Sequence, residues 1–351
     1  MEANFDLLIS GCNTHCKHCY VNGGPGKTMP LDDALLCISK LDELAAALPF
    51  ACSFTLDNEP INHPDIAEIV RAASSTRHIE HFHHGMTTGI ALMQRADKEA
   101  VVQTYLDCRC KWFGITLHGA WERHDEIVRR KGAFHTTVET AEFLKKSGAN
   151  VQISLMFNRY FSQNAAAIDE TIRRVEPDDI CFAIPNYTPH ANMPDFESDR
   201  AGLNDLEACL PWLVRWRQDE TKLMQQAKQG LVAAVIERLE RGLRVSELFR
   251  QPQNELYCTV HQDCKLYIGN TGVETECLGD LRSLDIAQAA ERLQASPGNR
   301  DYSAFYNLDQ LPTEEELIRA LKKLPPDRLY ADLPSVIYRG LAELHVPTRI
   351  I

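Results

Sequence analysis

The chain has 351 residues, enough for one large α/β domain with a smaller appendage, and 44% of them are hydrophobic, enough to fill such a core. Asp and Glu outnumber Lys and Arg by 49 to 37; a net charge of -12 repels phosphate backbones and anionic headgroups, which argues against nucleic acid and membrane surfaces as partners. No uninterrupted apolar run approaches the roughly 20 residues that span a bilayer. The opening Met-Glu-Ala-Asn-Phe-Asp is not a signal peptide, so the expected location is the cytoplasm. Twelve cysteines in a long intracellular chain point to metal binding rather than a disulfide scaffold, and their clustering carries the information.

Up to about residue 190, short apolar runs of β type alternate with helical patterns, the signature of parallel βα units. Strands are expected at 6–10, 52–56, 79–83, 112–117, 151–157 and 180–184. The stripe of Leu35, Ile38, Leu41 and Leu44, opened by Pro30, Asp32 and Asp33, predicts an amphipathic helix over 31–48. Val138, Ala141 and Leu144 predict a second over 136–147, stopped at Gly148. Six such units make a partial TIM-like (β/α)6 barrel. A polar, Pro-bearing stretch then places a domain boundary near 195, so that 1–194 is a core barrel and 195–351 a smaller α+β domain with a helical linker and tail. That second part reads as largely helical over 203–243. It continues with a hairpin of 265–268 and 273–276 around Gly269-Asn270-Thr271-Gly272, and ends in helices at 313–324 and 333–344.

Gly11-Cys12-Asn13-Thr14-His15-Cys16-Lys17-His18-Cys19-Tyr20 directly follows the first strand, so its three thiols sit at the strand's C-terminal end, the face where parallel βα barrels carry active sites. Three cysteines within eight residues can wrap a cubane cluster and leave its fourth iron open. The alternative is a zinc knuckle with His15 or His18 as fourth ligand. Cys37, Cys52, Cys108, Cys110, Cys181 and Cys209 read as packing residues. His83, His84 and the Gly85–Gly89 turn end the third strand at the same face.

Cys-x3-Cys-x2-Cys followed by aromatic Tyr20 resembles the motif of the radical S-adenosylmethionine (radical SAM) superfamily. The run from Phe54 through Asn58-Glu59-Pro60 to Ile66 resembles the family's Gly-Gly-Glu-Pro segment, with Asp57 and Asn58 in place of the two glycines. Gly114-Ile115-Thr116-Leu117-His118-Gly119 and the following Arg123-His124-Asp125 and Gly132-Ala133-Phe134 are similar to the fourth-strand segment in anaerobic sulfatase maturases and peptide-modifying enzymes.

The resemblance implies a [4Fe–4S] cluster on Cys12, Cys16 and Cys19, and S-adenosylmethionine bound by Tyr20, Glu59, Thr116, Arg129 (or Arg130) and Asn158. Glu59 receives the cofactor's amino group, Thr116 its ribose and the arginine its carboxylate. One electron, from a donor such as flavodoxin or ferredoxin, releases a 5′-deoxyadenosyl radical that abstracts hydrogen from substrate. Cys258, Cys264 and Cys277 around the hairpin look like the cysteine hairpin of a twitch subdomain, the shortened SPASM form, and imply a second [4Fe–4S] cluster. His261 and Asp263 between them are weaker candidates for substrate contact. Because the first cysteine is residue 12, with no room before it for a leader-binding domain, the expected substrate is a small molecule undergoing dehydrogenation or epimerisation. A peptide substrate is the second reading, and an iron–sulfur or zinc-stabilised electron-transfer or binding module the reading from another class.

Overall fold

The computed structural model describes residues 1–351 apart from Tyr20, Asn22, Gly85, 190–195, Gln229, 253–254, Val273, 297–298, 302–304 and 349–351. The first strand, β1 (Glu2–Leu7), alternates fully buried Ala3, Phe5 and Leu7 with half-exposed Glu2, Asn4 and Asp6. That period of two marks a strand whose faces meet different surroundings. It lies earlier than the expected 6–10: the apolar run Leu7-Leu8-Ile9 is the exit from the strand, and Leu8 and Ile9 are already rising toward the site.

Then follow β2 (Ala51–Leu56), β3 (His81–His84), β4 (Met86–Thr87), β5 (Trp112–Leu117), β6 (Asn150–Met156) and β7 (Asp179–Ala183). Within each of the two sheets these run parallel and in chain order: β1-β2-β3 in one, β4-β5-β6-β7 in the other. β3 and β4 are two halves of the third strand, the first paired with β2 and the second with β5, so that strand joins the two sheets. The result is the expected α/β partial barrel of six parallel units.

Helices pack outside. α1 (Leu31–Ala47) buries Ala34, Cys37, Ile38, Leu41, Leu44 and Ala45 on one stripe, and α6 (Ala133–Lys146) buries Val138, Ala141 and Leu144. The 203–243 stretch is three helices, Leu203–Arg215, Glu220–Lys228 and Leu231–Glu240. Arg217 at φ 58 and Gly230 at φ 61 stand between them, in left-handed conformations that no helix continues.

The chain beyond 195 returns to the barrel edge. β9 (Glu255–Val260) pairs in parallel with β1 from Glu2↔Glu255 to Leu7↔Val260, and β10 (Lys265–Ile268) and β11 (Glu276–Asp280) extend the sheet antiparallel. The second hairpin strand thus begins at Glu276 rather than 273, with a register shift between Leu266 and Tyr267; Val273 is outside the described residues. A second core gathers Tyr187, Val235, Leu239, Phe249, Tyr306, Leu317, Tyr338 and Leu341. No helix among the described residues is long and apolar enough to cross a membrane.

Arg200, 1% exposed, ties this second part to the barrel's end. Its guanidinium donates to the carbonyls of Pro185 (2.7 Å), Leu329 (3.1 Å) and Asn186 (3.2 Å), pairs with Glu197 at 2.6 Å and lies over the Tyr330 ring. Removing a buried charge from such a pair costs about 3–5 kcal/mol. Arg200→Met should therefore lower the urea midpoint by that equivalent, whereas Arg241→Met, at an exposed pair with Glu237, should leave it in place.

Candidate functional site

The cysteine loop is held from every side. At its start Met29 N–H donates to the Ile9 carbonyl at 2.8 Å, and Asn62 Nδ2 to the Gly11 carbonyl at 2.7 Å. Further on, Arg130 Nη1 donates to the Asn13 carbonyl at 2.8 Å, Lys17 N–H to the Ile127 carbonyl at 2.9 Å, and Lys17 Nζ pairs with Asp199 at 2.8 Å. The sulfurs of Cys12 and Cys16 flank one hydroxyl, Thr14 Oγ1, at 3.1 and 3.5 Å, and Cys19 Sγ accepts from Gly23 N–H at 3.0 Å. Burial raises all three thiols above their ordinary range, Cys16 to about 12; the nearby Glu59 charge adds to the effect on Cys12. Without a cation the three are therefore thiols, and binding metal expels their protons.

Beneath the loop, at the end of β2, the Glu59 side chain is fully buried. Its Oε1 accepts from Thr87 Oγ1 at 2.7 Å and its Oε2 from Thr88 N–H at 2.8 Å and Thr88 Oγ1 at 2.6 Å, while its carbonyl accepts from Ser10 Oγ at 2.7 Å. Burial raises its carboxyl against the lowering effect of these donors. Asn13 Oδ1 lies 3.2 Å from Thr88 Oγ1 and its Nδ2 is buried without a partner; either way round, one end of that carboxamide is unsatisfied among the described residues.

The opposite wall is a row of three imidazoles, each tilted to the next. His18 Nε2 lies 3.1 Å from His118 Nδ1, and the His118 ring centroid lies 5.4 Å from that of His124. Burial keeps them neutral, with His18 and His124 lowered to about 4 and His118 lowered further by its two neighbours. Thiols, imidazoles, Thr87, Thr88 and Thr116 enclose a cavity of about 150 Å3. Cys16, His18 and His118 bring ligand atoms within 4.8 Å of one another, but Cys12 and Cys19 stand outside that group. A closed Cys3His zinc set is therefore not assembled, and the wider spread suits a cluster that puts each thiolate on a different iron.

Residues 7–175 match the family described as the Radical SAM superfamily. They form a radical SAM domain. Solved structures agree in fold: anSMEcpe with bound AdoMet and Cp18Cys peptide superposes at a TM-score of 0.57 with 12% identity, covering 98% of this chain and 95% of that one. SuiB of Streptococcus suis bound to precursor peptide SuiA superposes at 0.54 with 11% identity, covering 95% and 75%. No curated protein matches.

Radical SAM domains use a [4Fe–4S] cluster and S-adenosylmethionine, and the residues present fit that group: three thiols around one cavity, a buried carboxylate under it and an unsatisfied carboxamide beside it. Of the residues expected to hold the cofactor, Thr116 lines the cavity. Glu59 lies one layer below, behind Thr87 and Thr88. Arg129, in a left-handed conformation after α5 (Trp121–Val128), is exposed; its neighbour Arg130 donates to the Asn13 carbonyl of the cysteine loop. Asn158 caps its strand instead, donating to the His118 carbonyl at 2.6 Å and accepting from Tyr160 N–H at 3.1 Å. Tyr20 lies outside the described residues.

The second cysteine group is not gathered. Cys258 pairs in register with Phe5 and Ile268 and is buried in the layer of Leu256 and Val260. Cys277 is exposed opposite Tyr267, whose partner Thr259 points to the other face. Cys264 is buried in the same core as Cys37 of α1. Between this hairpin and the cysteine loop lies a chamber of about 1100 Å3, lined by His15, Gly23, Lys27, His261, Asp263 and Glu274 among others. His261 Nε2 lies 2.8 Å from Glu274 Oε1, and Asp263 pairs with Lys265. Asn58, at φ 70, is the one described residue lining both chamber and cavity.

Sequence reading did not single out Thr14, Gly23, Lys17 or Asp199: Lys17 and Asp199 meet across 182 residues, and the Thr14 and Gly23 bonds to the sulfurs depend on how the loop itself is folded. In cluster-free protein at pH 8, iodoacetamide should alkylate Cys277 well before Cys258 and Cys264, read by peptide mass spectrometry. Joint protection of all three on iron–sulfide reconstitution would show that the hairpin rearranges to bring them together.

Proposed function

We propose that this radical SAM enzyme holds its cluster on Cys12, Cys16 and Cys19 and abstracts hydrogen from a substrate occupying the 1100 Å3 chamber. The observation that carries the reading is the placement of three thiols around one small cavity, with a buried carboxylate below and a large chamber across Asn58. When bound, cluster and S-adenosylmethionine supply reductive cleavage to a 5′-deoxyadenosyl radical. The chain's own part is to bind, orient and exclude water. Thr14 and Gly23 hold the sulfurs, Glu59 fixes the Thr87 and Thr88 hydroxyls on the cavity wall, Arg130 secures the loop carbonyl of Asn13, and Thr116 faces the cofactor space. The imidazole wall and Met86, Ile90 and Val128 keep that space apolar against stray proton and hydrogen donors.

In this reading the substrate is a small molecule that undergoes dehydrogenation or epimerisation in the cytoplasm, with the electron arriving from a flavodoxin or ferredoxin. A peptide is the second reading, favoured by the chamber itself: pockets for small ligands run to roughly 300–1000 Å3, and this one is at or beyond that limit. The structures of anSMEcpe and SuiB with bound Cp18Cys peptide and precursor peptide SuiA support the same alternative. Product analysis of reduced enzyme incubated with candidate metabolites and with short peptides separates the two.

The variant with Cys12, Cys16 and Cys19 all replaced by alanine should contain no cluster iron from this site and form no 5′-deoxyadenosine under dithionite; formation at the wild-type rate would overturn the assignment. Glu59→Gln should retain iron and weaken S-adenosylmethionine binding by about 1.5–3 kcal/mol, the worth of a charge-assisted hydrogen bond, measured by equilibrium dialysis. An unchanged dissociation constant would leave Glu59 as the support of Thr87 and Thr88 alone.

A further inference from the structure

We infer that the backbone amide of Gly23, four residues beyond the cysteine motif, raises the reduction potential of the cluster by donating a hydrogen bond to Cys19 Sγ. The inference rests on the assignment of the cluster to Cys12, Cys16 and Cys19. The bond is 3.0 Å long. A Cβ built on Gly23 would lie 3.2 Å from Cys19 Sγ, 3.5 Å from Asn58 Oδ1 and 3.6 Å from Cys12 Cβ, so this glycine is wedged between two cluster cysteines and the wall they share with the chamber.

The rest of the loop is pressed down as closely. A Cβ on Gly11 would lie 2.2 Å from Gly26 N and 2.6 Å from Gly24 O, and one on Gly24 2.1 Å from the His15 ring. Backbone lies on backbone where Gly11 meets Gly24 and Gly26, an approach only glycine allows, and this pins the segment that follows Gly23 to the start of the cysteine loop. Its other side lines the chamber, where Gly23, Gly24, Pro25, Gly26 and Lys27 form one wall.

Hydrogen bonds to cluster sulfurs raise the reduction potential, because they stabilise the extra negative charge that arrives on reduction. The step is a one-electron transfer from reductant to cluster in which no covalent bond forms or breaks. Thr14 serves the other two sulfurs through one hydroxyl, which has one proton to give. Gly23 brings a main-chain donor to Cys19, one that a side-chain exchange at another position leaves in place.

The experiment compares reconstituted wild type, Gly23→Ala and Gly23→Pro by iron content and by redox titration followed by electron paramagnetic resonance. Alanine adds the Cβ and keeps the N–H; proline adds a similar Cβ and removes it. Proline should show a reduced-to-oxidised ratio at fixed potential about tenfold below alanine, corresponding to about 59 mV for a one-electron couple. Equal potentials for the two variants overturn the inference. Should proline fail to hold iron, a second measurement decides: wild type labelled with 15N-glycine should show a nitrogen coupling to the reduced cluster in pulsed resonance that is lost in Gly23→Ala labelled the same way. No such difference overturns the inference. Failure of the cluster assignment itself looks different, since wild type would then give no cluster signal from the three cysteines at all.

Discussion

The site depends on β1 being paired along both edges. With β2 on one side and β9 on the other, its backbone has no freedom to slide, and the loop it delivers starts from a fixed point. Everything that follows is short-range from there: Ile9 is tied to Met29, Gly11 to Asn62, Ser10 to Glu59. A one-residue slip of β1 would turn Phe5 and Leu7 to the polar face and carry Cys12 out of the cavity. The C-terminal hairpin is therefore part of what positions the thiols, in addition to lining the chamber.

Polar groups are buried here at a cost that the fold offsets locally. Glu59 takes three donors onto its carboxylate, and these bonds convert an expensive buried charge into a brace for Thr87 and Thr88. The thiols and imidazoles find less compensation, and burial keeps them neutral. The cavity is thus nearly uncharged on its imidazole wall, with a buried carboxyl beneath that burial raises, an environment suited to protecting a reactive radical.

Asp57 and Asn58 show how this chain departs from the glycine pair of its relatives. Asn58 takes the left-handed conformation that a glycine would adopt freely, and asparagine tolerates it best among residues with a side chain. Asp57 accepts from Thr271 Oγ1 at 3.3 Å, tying the end of β2 to the hairpin turn. Substituting both glycines therefore brings a link to the C-terminal hairpin and a polar side chain between cavity and chamber, neither of which glycine provides.

The sequence by itself determined the repeating units and the first cysteine cluster. Both are local: Ile38, Leu41 and Leu44 declare a helix face through spacing alone, although Leu35, expected beside them, is only half-buried and Ala34 and Cys37 complete the stripe, and three thiols within eight residues are near one another in any loop. Glu59 was legible through its place in a motif, whereas its partners Thr87 and Thr88 showed only as a strand-end turn. Tertiary structure decided the rest. That Arg130 holds the Asn13 carbonyl, 117 residues away in the chain, depends on the barrel bringing the end of α5 beside the cysteine loop. That Cys258 and Cys277 point to opposite sides depends on register, which a bulge between Leu266 and Tyr267 resets. The Gly23 amide, the His18–His118 contact and the Lys17–Asp199 pair join segments up to 182 residues apart, and spacing along a chain carries no information about which distant loops the packed sheet will bring together.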